Sequence, residues 1–188
     1  MAVWCAIRTY AAHASEMGNE ILKKPAFFLK ADACITEPSA INTYDGDIHY
    51  EVELVVRIGD DLLPDAMTVG LDLTKRSIQE GAKSEGLPWA EAKSFVGSAI
   101  IGDWVEPIAE SFSLEIDGCV VQSGDLDSMV CSITELIAEL ARWAPLRPGD
   151  ILFTGTPSGV GSLDPGMLVK TSLFAGDKRL TGFSCNCI

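Results

Sequence analysis

Basic residues are scarce in this 188-residue chain: 14 Lys and Arg stand against 27 Asp and Glu, for a formal net charge of −13. That balance repels phosphate backbones, and no Lys/Arg run forms a patch to offset it, so nucleic acid is not an expected partner. Long apolar runs are also lacking, and no segment reaches the length of a membrane-crossing helix. Six cysteines occur, at 5, 34, 119, 131, 185 and 187, without a CxxC pair and without the regular spacing of a stapled secreted scaffold. They read as reduced thiols. Together with a start, MAVWCAIRTY, that has no basic region ahead of its short apolar run, they predict a cytoplasmic protein without a secretory signal. The Cys185-x-Cys187 pair has no companion Cys or His nearby to complete a metal site. Repeats, linkers and low-complexity tracts are absent, and 47% hydrophobic with 22% charged content gives no case for extended disorder. The expectation is one domain over 1–188 that buries its core without help from disulfides or metal.

What is present is mostly strand. MAVWCAI alternates as a strand, and RTYAAHASEMG has helical spacing with Gly18 as its stop, which puts His13 and Glu16 at i and i+3 on one face. A short strand follows around Phe27 to Lys30, then a polar loop as far as Gly46. In DIHYEVELVVRIG a period of two places Tyr50, Val52, Leu54 and Val56 on one face and Glu51, Glu53, Val55 and Arg57 on the other. AMTVGLDLT is a second apolar strand. If 51–58 pairs antiparallel with 66–73 across the turn IGDDLLPD, Glu53 and Asp72 fall opposite each other. TKRSIQEGAK and PWAEAKSF read as short helix or loop. SFSLEIDGCVVQSG is a hairpin about Asp117-Gly118. LDSMVCSITELIAELARWAP is predicted to be the clearest helix, with Met129, Val130, Ile133, Leu136, Ile137 and Leu140 as a core stripe. ILFTGTPSGVGSL is a strand entering a Gly-rich loop, and MLVKTSLFAGDKRLTGF is a closing hairpin. No βαβ alternation is visible, so a doubly wound sheet is disfavoured and a strand-rich α+β class expected.

The paired glutamates have two readings. One is a wet face of an antiparallel sheet. The other joins Glu51, Glu53 and Asp72 as three anionic oxygens, which suits a hard divalent cation such as Mg2+ (or Mn2+). His49 completes an HxExE pattern on the same face, and so a zinc-like site is a lesser alternative. GTPSGVG lacks the Lys-Ser/Thr of a nucleotide loop. It is either a tight turn or a loop whose N–H groups and Thr156 hydroxyl face a carboxylate ligand. Lys93 and the His13/Glu16 pair gain interest in combination. A cation beside a metal stabilises an enolate, and a Glu-oriented His activates water.

These segments in order, RTYAAHASEM, PAFFLKADACI, HYEVELVVRIG, LDLTKRSIQ, GLPWAEAKSF and LRPGDILFTGTPSGVG, resemble the fumarylacetoacetate hydrolase family. The chain is most similar to its small acylpyruvase- and oxaloacetate decarboxylase-like members, and the resemblance runs nearly end to end. It implies a mixed β-sandwich or roll, usually a homodimer. Glu51, Glu53 and Asp72 are then the metal ligands, Lys93 stabilises the enolate, and His13 with Glu16 prepares the attacking water. Arg8, Lys30, Arg76, Gln79 and Thr156 line the substrate pocket. The implied activity is hydrolysis or decarboxylation of short 2-oxo acids. An isomerase or tautomerase of related enol acids, or a non-catalytic metal-binding module, is the alternative. Two departures stand out. Between the Glu-bearing strand and Asp72 only IGDDLLPDAMTVGL intervenes, where the family carries a longer insert, and Arg8-Thr9 replaces the family's Arg-Asn.

Overall fold

The computed structural model describes residues 1–43 and 47–188. The end of the expected polar loop, at residues 44–46, lies outside the described residues. The first half of the chain runs β1 (Val3–Ile7), α1 (Ala11–Glu16), β2 (Ala26–Lys30), β3 (Ile35–Thr36), β4 (Ile48–Tyr50), β5 (Val52–Ile58), β6 (Pro64–Asp72), β7 (Thr74–Lys75), α2 (Arg76–Glu85) and α3 (Ala90–Lys93). The second half runs β8 (Ala99–Ile101), β9 (Ser111–Ile116), β10 (Cys119–Asp125), α4 (Ile133–Ala141), β11 (Ile151–Phe153), β12 (Gly161–Ser162), β13 (Leu168–Ala175), β14 (Lys178–Thr181) and β15 (Ser184–Asn186). This is the strand-rich α+β class expected.

A mixed seven-stranded sheet has the order β2-β1-β11-β5-β6-β8-β3, and a second sheet has the order β10-β9-β13-β14 with β15 added on β13. A small third sheet joins β12, β4 and β7. The alternation in β5 explains how the first two meet. Val52, Leu54, Val56 and Ile58 enter the main core together with Phe112, Leu114, Val169 and Leu173 of the second sheet. Val55 points the other way, into a smaller cluster with Val3, Cys5, Ile151 and Phe153. The central strands are thus buried on both faces, which is why β5 and β6 read as nearly continuous apolar runs. Glu51 and Glu53 share the face of Val55, at its open end.

The β5–β6 hairpin forms, but its register differs from the expected one. Val52 pairs with Leu71 and Glu53 with Gly70, and the Asp72 N–H donates to the Glu51 carbonyl at 2.9 Å. Asp72 therefore sits beside Glu51, two pairs along from Glu53 and so on the same face. An irregularity between Arg57 and Ile58 shifts the pairing at the far end of the strand, a detail outside the reach of periodicity. Gly70 is fitted to its place: a Cβ there would lie 2.7 Å from Val55 Cγ2 and 2.9 Å from the Ile100 carbonyl oxygen.

The long helix predicted over 126–145 is shorter than expected. Only Ile133–Ala141 is α-helical, and Ser132 caps it: its side chain accepts from the Glu135 N–H, while the Glu135 carboxylate accepts from the Ser132 N–H. This capping box was legible as Ser-x-x-Glu and outweighs the helical spacing of Met129 and Val130. Those two residues instead tie the segment to the N-terminal region, Met129 by a bridge to Tyr10 and Val130 by donating its N–H to the Thr9 carbonyl. Leu136, Ile137 and Leu140 do belong to the core stripe.

Candidate active site

Four chain segments converge where the open end of the Val55 face meets α1, α2 and α3. β5 and β6 deliver the acids. Ligand oxygens of Glu51, Glu53 and Asp72 all lie within 4.8 Å of one another, and all three residues are buried. This is the only such cluster of His, Cys, Asp or Glu among the described residues. His49 stays outside it, its Nε2 lying 3.0 Å from Asp47 Oδ1.

Three cations answer two of the three acids, Glu51 and Asp72. Lys93, at the end of α3, donates from Nζ to Glu51 Oε2 at 2.7 Å and to Asp72 Oδ2 at 2.9 Å. Arg76, at the start of α2, donates from Nη2 to Glu51 Oε1 at 2.6 Å and from Nη1 to Gln79 Oε1 at 2.6 Å. Lys30, on β2, places Nζ 2.8 Å from Asp72 Oδ1 and also donates to the Lys93 carbonyl. It sits beneath the acids and does not reach the cavity lining, unlike the pocket role implied by the resemblance.

The charges are unevenly shared. Burial alone would raise the Glu51 carboxyl, but the adjacent Lys93 and Arg76 override it and bring it down to about 2. Burial pushes Glu53 well above the usual carboxylate range, and the neighbouring Asp72 and Glu51 add to the rise. Its Oε2 accepts the Gly155 N–H at 2.7 Å. No cationic side chain is bonded to it among the described residues. A buried carboxylate short of positive charge, beside two more acids, is a donor set that fits a hard divalent cation.

The Gly-rich loop after β11 explains where its N–H groups point. The carboxylates they face are the protein's own: Gly155 binds Glu53, and the Gly159 N–H donates to Glu16 Oε1 at 2.9 Å. Gly155 has φ +97°, and a Cβ there would meet Thr9 Oγ1 at 2.0 Å, so this approach needs glycine. The Thr156 hydroxyl borders the cavity and is bonded within the protein. It donates to the Val52 carbonyl at 2.8 Å and accepts from Gln122 Nε2 at 2.9 Å. Buried Gln122 also accepts the Val52 N–H at 2.9 Å, locking the loop to β5.

On α1, His13 Nδ1 lies 3.1 Å from Glu16 Oε2. With its other oxygen on Gly159, Glu16 ties α1 to the Gly-rich loop. Arg8 precedes this helix with φ +58°, a left-handed conformation uncommon for a side-chain-bearing residue and frequent at functional sites. Arg8, His13, Glu51, Glu53, Asp72, Arg76, Gln79, Lys93 and Thr156 all border one cavity of about 60 Å3. At roughly 10–15 Å3 per water-sized sphere that is room for a few waters.

Lys83, Phe28 and Trp89 also border the cavity, and sequence reasoning passed over them. Lys83 had a signal: Arg76, Gln79 and Lys83 are spaced i, i+3 and i+7, one face of α2. Gln122 had none, since its partners lie far away in the chain.

Residues 2–181 match the family model described as fumarylacetoacetate (FAA) hydrolase C-terminal. The chain is 36% identical over 186 residues to the mitochondrial oxaloacetate decarboxylase of Dictyostelium discoideum, covering 88% of this chain and 85% of that protein. It is 34% identical over 184 residues to oxaloacetate tautomerase YcgM of Escherichia coli, covering 87% and 84%. Its structure superposes with a TM-score of 0.90, at 33% identity, on fumarylpyruvate hydrolase from Pseudomonas aeruginosa in complex with Mn2+ and pyruvate, covering 100% of this chain and 89% of that one. The chain belongs to the fumarylacetoacetate hydrolase family.

Proposed function

We propose that this chain is a divalent-metal-dependent enzyme of short 2-oxo acids that forms and discharges an enolate, with oxaloacetate as its lead substrate. The observation that carries the reading is the buried triad Glu51, Glu53 and Asp72 on the floor of a small cavity, with the Lys93 ammonium between two of its members. The oxaloacetate decarboxylase and tautomerase relatives and the Mn2+- and pyruvate-bound structural neighbour support it. Glu51, Glu53 and Asp72 would hold Mg2+ or Mn2+, which when bound supplies an electrophile for the carboxylate and 2-oxo oxygens of the substrate.

The remaining chemistry falls to the chain. Lys93 offers N–H donors to the negative charge that develops on the 2-oxo oxygen, in a site that excludes bulk water. Arg8 offers a guanidinium to a substrate carboxylate. The Gln79 amide lines the same cavity, its Oε1 accepting from Arg76. His13, oriented through Nδ1 by Glu16, has Nε2 free to take and return a proton. Keto–enol exchange needs only that a proton leave C3 and one arrive at the 2-oxo oxygen, with no carbon–carbon bond broken. Loss of CO2 from oxaloacetate breaks the C3–C4 bond, leaves the electron pair as the enolate of pyruvate with its charge at the same 2-oxo oxygen, and is completed by one proton delivered to C3; the small cavity suits such a four-carbon acid. Cleavage of an acylpyruvate needs water as well, activated by the same His13–Glu16 pair, and that pair is the observation that keeps hydrolysis as the second reading.

The test follows one protein preparation on oxaloacetate, for enol loss by ultraviolet absorbance and for pyruvate formation, and on acetylpyruvate for cleavage. Each is run with Mg2+, with Mn2+ and with EDTA. The expected result is metal-dependent turnover, faster on oxaloacetate than on acetylpyruvate. Ion binding with no metal-dependent turnover of either acid would contradict the proposal and leave a metal-binding module.

A further inference from the structure

Lys30, Arg76 and Lys93 are all paired with Glu51 or Asp72, yet two more cations border the cavity. Neither Arg8 nor Lys83 has a carboxylate within ion-pairing distance among the described residues. Lys83 lies two helical turns beyond Arg76 on the cavity face of α2, at the exposed rim and away from the buried floor that carries the acids. Its Nζ sits over the Trp89 ring at 5.1 Å from the centroid, an arrangement that holds the ammonium in place instead of leaving it to sweep through solvent. Partial burial lowers its pKa and the like charge of Arg76 lowers it further, with Glu51 offsetting part of the fall. Immediately beyond Trp89 the surface turns apolar, along a groove lined by Ile7, Phe27, Phe28, Leu29, Pro88 and Ala90. Lys83 thus stands where a polar cavity meets an apolar exit.

We infer that Lys83 is a specificity-determining residue that reads a second carboxylate at the far end of the substrate, and so selects 2-oxo dicarboxylic acids over neutral-tailed ones. This rests on the proposed function, which places the 2-oxo acid head at the acids of the floor and leaves the far end of a four-carbon acid for the rim. A dianion pairs with both Arg8 and Lys83. A neutral tail leaves the Lys83 ammonium without a partner and draws no benefit from it. The apolar groove is the alternative route for a neutral tail, and removing the charge opens it.

The test uses two non-reacting four-carbon acids that differ only at the far end, malate with a carboxylate and 2-hydroxybutyrate with a methyl group. Both are titrated calorimetrically into the Mn2+-loaded protein, wild type, Lys83→Met and Lys83→Arg. Malate affinity falls about tenfold in Lys83→Met, the scale of a partly exposed charge-assisted hydrogen bond. Affinity for 2-hydroxybutyrate stays within about twofold, and Lys83→Arg recovers most of the malate affinity. Equal weakening of both acids, or none of either, overturns the assignment while leaving the proposed function standing. A wild-type protein that binds Mn2+ but neither acid overturns the proposed function, and this assignment with it.

Discussion

Replacing Lys93 with Met is expected to lower the stability of the metal-free protein by about 3–5 kcal/mol, the range for breaking a buried ion pair by deleting one partner. Two carboxylates lose their shared cation at once, Glu51 at 2.7 Å and Asp72 at 2.9 Å, and both remain buried. For a chain of this length the loss corresponds to a melting temperature lower by roughly 10 °C. Mn2+ at saturating concentration is expected to restore part of it, because an ion that binds only the folded acids supplies the positive charge that Lys93 took away. Turnover does not return with stability. Loss of the ammonium removes a donor to the developing enolate, about 100- to 1,000-fold in kcat by the usual effect of one such group. Thermal melts with EDTA and with Mn2+, together with kcat on oxaloacetate, check this. A variant as stable as wild type in EDTA would show that the bridge carries no weight.

Glu53→Gln is expected to do the opposite to stability. The amide oxygen can still accept the Gly155 N–H, and the substitution removes the carboxyl that burial and its acidic neighbours push upward. The sign follows from proton linkage: a carboxyl whose folded pKa is raised binds a proton more tightly when folded. Its contribution is therefore lost as pH rises from its unfolded value, near 4.5, through the folded one. In EDTA the variant melts at or above the wild-type temperature, and the gap widens from pH 5 upward. Activity falls by about three orders of magnitude, since the role of the lost ligand amounts to several kcal/mol of transition-state stabilisation. Stability given up for function is the usual sign of a working site. A metal-free variant that melts well below wild type at pH 8 would mean that Glu53 is a structural acid.

Much of this was readable in advance because it depends on short-range pattern. The period of two in β5 set Glu51 and Glu53 on one face, and the apolar second strand brought Asp72 within reach. The hairpin about Asp117-Gly118 formed with positive φ at both positions, as that dipeptide favours. The short connection between Glu53 and Asp72 does no harm to the triad, because a tight hairpin turn is enough to return the strand. What escaped depended on contacts remote in sequence. The register of Asp72 against Glu51 is set by which pairs interlock across the sheet, not by spacing. Lys30 is of a residue type usually found at the surface and becomes buried because β2 lies beside β1, where its ammonium meets Asp72. Thr156 is turned inward by Gln122, which lies 34 residues away. The helix start at Ser132 and the place of Lys83 on the cavity face of α2 are the two features that local rules also reach.

The central claim is that Glu51, Glu53 and Asp72 form one divalent-cation site, and a calorimetric titration of Mn2+ into wild type and Glu53→Gln tests it most directly. The wild type is predicted to take up one ion per chain, with affinity rising as pH rises, because Glu53, whose carboxyl burial and its acidic neighbours push upward, must give up its proton to bind the ion. Glu53→Gln is predicted to bind more than about 100-fold more weakly, beyond the range that loss of an outer-shell partner produces. Equal ion affinity in the two proteins would contradict the claim.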